Sequence, residues 1–293
     1  MGLELNSPNE YIRIDGQEIP FFREGYGQNV KRVAELLSSG RTIMNMAQLA
    51  RRRIDVREYG SRLENAWNNN YFDTSDLKAQ REGEVKLILT AYADGSTTPL
   101  GREALSWINP KERLVNGAVD LRVDDRYDRI RGAGVAVKKV EDLAEAISTG
   151  LIRKQARDSF FWRFFYRHPD EVPEEFAIPG LHEEAIEHAF ADQDIAMGVY
   201  VNPASEIPEM RAWYVGRLGD RSDAYGRRDL DDGCGRFLGL APEALVTLNK
   251  GVAPRVERYT TADLEEFDEA ISTLKASVKP ELLEPLAQLR DKL

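Results

Sequence analysis

Cysteine is nearly absent from this chain of 293 residues: Cys234 stands alone, so no intramolecular disulfide can form and a disulfide-stapled scaffold is excluded. Histidine is almost as scarce, with three residues. No apolar run approaches the roughly 20 residues of a membrane helix. The opening MGLELNSPNEYIRIDG lacks the basic and apolar stretches of a secretory leader. Excess positive charge is missing too. Forty Lys and Arg face fifty Asp and Glu, a net charge of −10, which argues against a general binder of nucleic acid or anionic membrane. These absences predict an acidic, soluble, cytoplasmic protein. What is present supports a packed core: 42% of residues are hydrophobic and 31% charged, over a length that suits one large domain or two smaller ones.

The pair Asp15-Gly16 between alternating runs predicts a hairpin with Ile12 opposite Ile19 and Arg13 opposite Glu18, and Pro20 places its second strand at an edge. Val30, Val33, Ala34 and Leu37 fall on one helical stripe. Ile43, Met46, Ala47, Ala50 and Ile54 form a second, with Leu63 and Trp67 adding a turn before the loop Asn68-Asn69-Asn70. Alternation predicts strands over 85–91, 119–123, 135–137, 195–201, 210–218 and 236–240. A helix is expected over 151–166, with six aromatics crowded between Phe160 and Tyr166, and another around Leu181 to Phe190. Leu264, Phe267, Ile271 and Leu274, then Leu282, Leu283, Leu286 and Leu289 behind Pro280, predict a C-terminal helical pair. Helices and strands intersperse without strict alternation, so the expected class is α+β, a mixed or antiparallel sheet with amphipathic helices. Pro169, Pro173 and Pro179 mark a stiff connector at 169–180 between regions 1–168 and 181–293, unless the chain is a single domain.

Candidate chemistry is sparse. Gly25-Tyr26-Gly27 precedes a helix but lacks the third glycine or the Gly-Lys-Ser/Thr of a phosphate loop, which favours an ordinary turn. His182 and His188 are six apart and not four, so the two-histidine zinc-protease pattern fails. Glu184, His188 and Asp192 share a face that suits a solvated surface better than an ion. His168 sits at a helix end before Pro169, where capping is its expected role. The aromatic helix, with its interleaved arginines, offers a base-stacking surface, but six aromatics within seven residues cover all sides of a helix and point to burial.

The most unusual segment is 219–235, rich in Asp, Arg and Gly and nearly without apolar residues. Its order does not match an EF-hand loop. A solvated hairpin loop stapled by Asp–Arg pairs competes there with a ligand site made from Asp220, Asp223, Arg227, Arg228, Asp229, Asp231 and Asp232. Cys234, between Gly233 and Gly235, has no neighbouring histidine to activate it. No complete catalytic constellation is visible. The expectation is a non-catalytic binding or interaction protein with a protein or small-molecule partner, open to homo-oligomerisation. The alternative is a carboxylate-based hydrolase, with or without a metal, using the 219–235 loop. Catalytic residues, metal ligands and cofactors are not assigned.

Overall fold

The computed structural model describes residues 5–241 except 7–8, 15–16, 21, 60, 145–149, 202–205, 220 and 227–228, and it describes the strands before Gln28 and the stretch 58–63 by backbone alone. The chain divides into two compact units, Met1–Ala253 and Pro254–Leu293. The expected C-terminal helical pair lies outside the described residues.

The first unit is α+β, built on an eleven-stranded sheet. Its spine runs Val135–Lys139, Glu84–Ile88, Phe72–Arg81, Glu209–Val215, Ala224–Tyr225 and Val199–Tyr200. The pairing is antiparallel except where Val199–Tyr200 runs parallel to Ala224–Tyr225 and where Phe237 meets Asp73. The strand Gly235–Leu240 also pairs with Phe22–Gly27, so Gly25-Tyr26-Gly27 is sheet and not a turn. The Asp15-Gly16 hairpin takes the register its alternation predicts, Ile12 opposite Ile19 and Arg13 opposite Glu18, and Gln17–Pro20 is an edge strand.

The central strand Phe72–Arg81 has no counterpart among the predicted strands. Asp73, Thr74, Ser75, Asp76, Lys78 and Gln80 are all buried, so both of its faces lie inside the molecule and polarity carries no alternation. Burial of these groups is tolerable because they are partnered. Asp76 accepts from the Met46 backbone N–H at 2.9 Å and faces Arg167 at 3.4 Å. Thr90 Oγ1 lies 2.8 Å from Ser75 Oγ, and Thr74 Oγ1 donates to the Trp213 carbonyl at 3.0 Å. The apolar residues of the sheet sort by face, because successive side chains of a strand point in opposite directions. Leu87 joins one cluster with Trp67, Trp162, Phe165 and Trp213; Leu77 and Ile88 join the other with Val33, Trp107, Tyr127 and Phe237.

The helix expected over 151–166 is broken. Leu151–Ile152 is a short strand paired with Ile195–Ala196, and Arg153–Asp158 and Phe160–Phe165 are separate helices meeting at Ser159, whose backbone is extended. A straight helix would hold part of its aromatic girdle in water; the break turns it inward. Phe161, Trp162, Phe164, Phe165 and Tyr166 are buried, Phe160 is partly so, and the indole of Trp162 donates to the Met197 carbonyl at 2.5 Å. This helix is therefore core and not a stacking platform. Val172 and Phe176 of the proline-rich connector are buried as well.

Candidate functional site

The 219–235 segment does not form one solvated loop. Ala224–Tyr225 is a strand inside it, Ser222 to Gly226 are buried or half-buried, and Leu230 is buried. Register then builds something that no local pattern announces. Tyr225 lies opposite Tyr200 on one neighbouring strand and opposite Tyr214 on the other. Neighbouring strands run about 4.8 Å apart, so rings in matching positions must stack at close to that spacing. Both ring pairs do, at 4.6 Å between centroids and within 7° of parallel. Tyr71 continues the row edge-on against Tyr214 at 6.2 Å.

An arginine stands at each end. Arg221 donates to the Tyr200 hydroxyl at 3.3 Å, and the Arg236 guanidinium lies 5.4 Å over the Tyr71 ring. All four tyrosines of the row are half-buried. Burial, with Asp223 and the flanking tyrosines, pushes the Tyr225 phenol up to about 12, so it remains a protonated donor at neutral pH.

The backbone beneath the row is constrained. Arg221 and Ser222 both take positive φ, 72° and 53°, a conformation that costs non-glycine residues on the order of 1 kcal/mol each. Neighbouring contacts hold them there. The Arg221 carbonyl accepts from the Met197 N–H at 2.7 Å, and Arg53 donates to the Ser222 hydroxyl at 3.0 Å.

The acids picked out in the sequence go to separate partners. Asp223 is fully buried, accepting from the Gly198 N–H at 2.6 Å and the Tyr225 hydroxyl at 3.4 Å, with Arg221 at 3.1 Å. Burial raises its carboxyl pKa more strongly than the Gly198 amide and Arg221 lower it. Asp229 is exposed and pairs with the buried Arg211 at 2.6 Å, which also binds Glu209 at 3.1 Å and the Asn116 carbonyl. Asp231 and Asp232 are exposed, and Asp232 accepts from the Cys234 N–H at 3.1 Å. The Cys234 carbonyl in turn accepts from the Tyr71 hydroxyl at 2.7 Å. Thus the beginning, middle and end of the segment edge one aromatic row. Asp220, Arg227 and Arg228 lie outside the described residues.

Two further groups have perturbed chemistry but no exposure. Lys78 is buried, donates to Gln80 at 2.8 Å and is pushed down to about 7, chiefly by burial. Its enclosure keeps it from any substrate. His188 is buried and pushed down to about 4 by burial and by Arg57 and Arg53, and Glu184 pairs with Arg51 at 2.6 Å; among the described residues Glu184, His188 and Asp192 do not come together as one set of ligand atoms.

Among the described residues no helix is long and apolar enough to cross a membrane. No family model matches the chain, and no curated protein matches it. A solved structure described as "Accommodation of massive sequence variation in Nanoarchaeota by the C-type lectin fold" is similar to it at a TM-score of 0.47 and 15% identity, covering 75% of this chain and 97% of that one.

Proposed function

We propose that this is a soluble, cytoplasmic, non-catalytic binding protein that engages a protein partner through the row Tyr71, Tyr214, Tyr225 and Tyr200, flanked by Arg236 and Arg221. The observation that carries this reading is the row itself: three tyrosines stacked across adjacent strands, a fourth set edge-on at one end, and an arginine beside each end. Tyrosine and arginine are the side chains on which interface energy concentrates, since each combines a large apolar surface with a polar rim at small entropic cost. The strained backbone at Arg221 and Ser222 supports the same reading, because strain persists where a side chain must be held in place. Of the acids and arginines singled out in 219–235, Asp223 joins this face through its contacts with Tyr225 and Arg221; a contribution from Asp220, Arg227, Arg228, Asp229, Asp231 and Asp232 to partner binding is part of the same proposal.

The test is comparative. A partner captured by the parent protein is purified, and its affinity is measured for the parent, for the double variant Tyr200→Ser/Tyr225→Ser, and for Lys139→Ser, an exposed control. The expected result is at least tenfold weaker binding by the double variant, with the control unchanged, as for loss of interface anchor residues. Equal affinity of parent and double variant, with both folded, would overturn the assignment.

A further inference from the structure

His168 and His182 come from separate elements, the turn after Phe160–Phe165 and the first turn of Leu181–Ala189, yet their rings meet edge to face at 5.5 Å. Glu183 lies between them, its Oε1 3.4 Å from His168 Nε2 and 3.7 Å from His182 Nδ1. One ligand atom from each of the three residues lies within 4.8 Å of the others. The side chain of His182 is only 3% exposed, and its ring nitrogens meet the Glu183 carboxylate and the Ala156 backbone only at longer than ordinary hydrogen-bond geometry. A buried imidazole with contacts this loose is a feature that a bound ligand explains. The other two side chains reach water, at 20% exposure for His168 and 54% for Glu183, which leaves an entry path.

We propose that His168, His182 and Glu183 form a binding site for a divalent transition-metal ion of the zinc class. Donors held at about 2.1 Å around a tetrahedral ion lie about 3.4 Å from one another, so the two measured separations to Glu183 are close to what the ion requires, and the two imidazoles, within 4.8 Å, need to close by up to about 1.4 Å. Imidazole donors select zinc, cobalt or nickel over magnesium or calcium. Asp170 supplies the outer support such a site uses, with its carboxylate 3.7 Å from His168 Nδ1. That nitrogen accepts from the Asp170 N–H at 3.2 Å; with an ion on Nε2 it would carry the proton and could turn to the carboxylate. The nearby cation Arg163, 3.4 Å from the same nitrogen, is met by Asp170 and Glu171, each at 3.0 Å. Three protein ligands leave a position open to solvent.

The full chain, stripped with a chelator, is titrated with Zn2+ and separately with Mg2+ by calorimetry, and with Co2+ while visible absorption is followed. The variants are His168→Gln, at a half-buried position, and Glu183→Gln, at an exposed one, with Glu187→Gln as control on the same helix as Glu183. Expected are one Zn2+ per chain, no Mg2+ binding, the intense visible bands of tetrahedral Co2+, a loss of at least tenfold in Zn2+ affinity for each of the two variants, and none for the control. Absence of stoichiometric Zn2+ binding by the parent, or equal affinity in the parent and both variants, would overturn the proposal and leave a carboxylate bridging two histidines.

Discussion

Replacing Lys78 by Met should change how stability depends on pH. Burial holds the ammonium down to about 7 against an ordinary 10.5, opposed by Glu209 and reinforced by Arg211. Between those values the unfolded chain binds a proton that the folded chain does not, so stability rises with pH in that window and is lost as pH falls through about 7. Each full pH unit is worth up to about 1.4 kcal/mol; starting half-titrated, the rise from about pH 7 to about pH 9 is about 2 kcal/mol. Methionine keeps the apolar stem, and Glu209 keeps Arg211 at 3.1 Å, so the substitution strands no buried charge. Urea unfolding across that range for both proteins provides the measurement. The other titrating groups are common to both proteins, and the difference between parent and variant isolates Lys78. Parallel pH profiles, with a difference constant to within about 0.5 kcal/mol, would show that Lys78 remains charged in the fold and would refute the reasoning.

Three other outcomes test the structure. Asp76→Ala leaves the wholly buried Arg167 without its carboxylate and should cost about 3 to 5 kcal/mol in urea unfolding, part of which Arg167→Met restores when added to it. Trp162→Ala removes a fully buried indole and should cost about 3 to 5 kcal/mol, read as a lowered denaturation midpoint. Changing Asp229, Asp231 and Asp232 together to Asn should cost only about 1 kcal/mol, because all three are exposed and Arg211 retains Glu209 and the Asn116 carbonyl; a loss above about 3 kcal/mol in the same assay would contradict their placement.

What was legible in the sequence follows from where each signal resides. The Asp15-Gly16 hairpin carries its register locally, because turn chemistry and alternation select the same pairing, and Ile12 does lie opposite Ile19. Val30, Val33 and Leu37 announce Asn29–Ser38 through a stripe that one buried face requires. The aromatic crowding at 160–166 foretold burial but not the break at Ser159, since composition limits how much surface must be hidden without saying how the backbone turns to hide it. Phe72–Arg81 escaped altogether. Its two faces are both interior, and Asp73, Asp76 and Lys78 occupy positions where alternation would place apolar residues or solvent.

The candidate site was illegible for a related reason, and the acids of 219–235 show why. Read along the chain they are a polar run, and a polar run implies solvent. In the fold Asp223 is buried because Gly198, Arg221 and Tyr225 supply its hydrogen bonds, and Gly198 lies 25 positions away. Asp229 is drawn to Arg211, 18 positions upstream, and the Tyr71 hydroxyl reaches Cys234 across 163. The stacked part of the tyrosine row needs three residues whose alignment is set by strand pairing alone: Tyr200, Tyr214 and Tyr225 become neighbours only once one strand runs parallel and the other antiparallel to Ala224–Tyr225. Apolar periodicity records how a segment faces the core. A buried polar group records nothing locally, because its stability depends on a partner supplied by another segment, and the sequence order holds no distance between them. The segment was therefore conspicuous for its composition, while the chemistry it takes part in belongs to strands that looked ordinary.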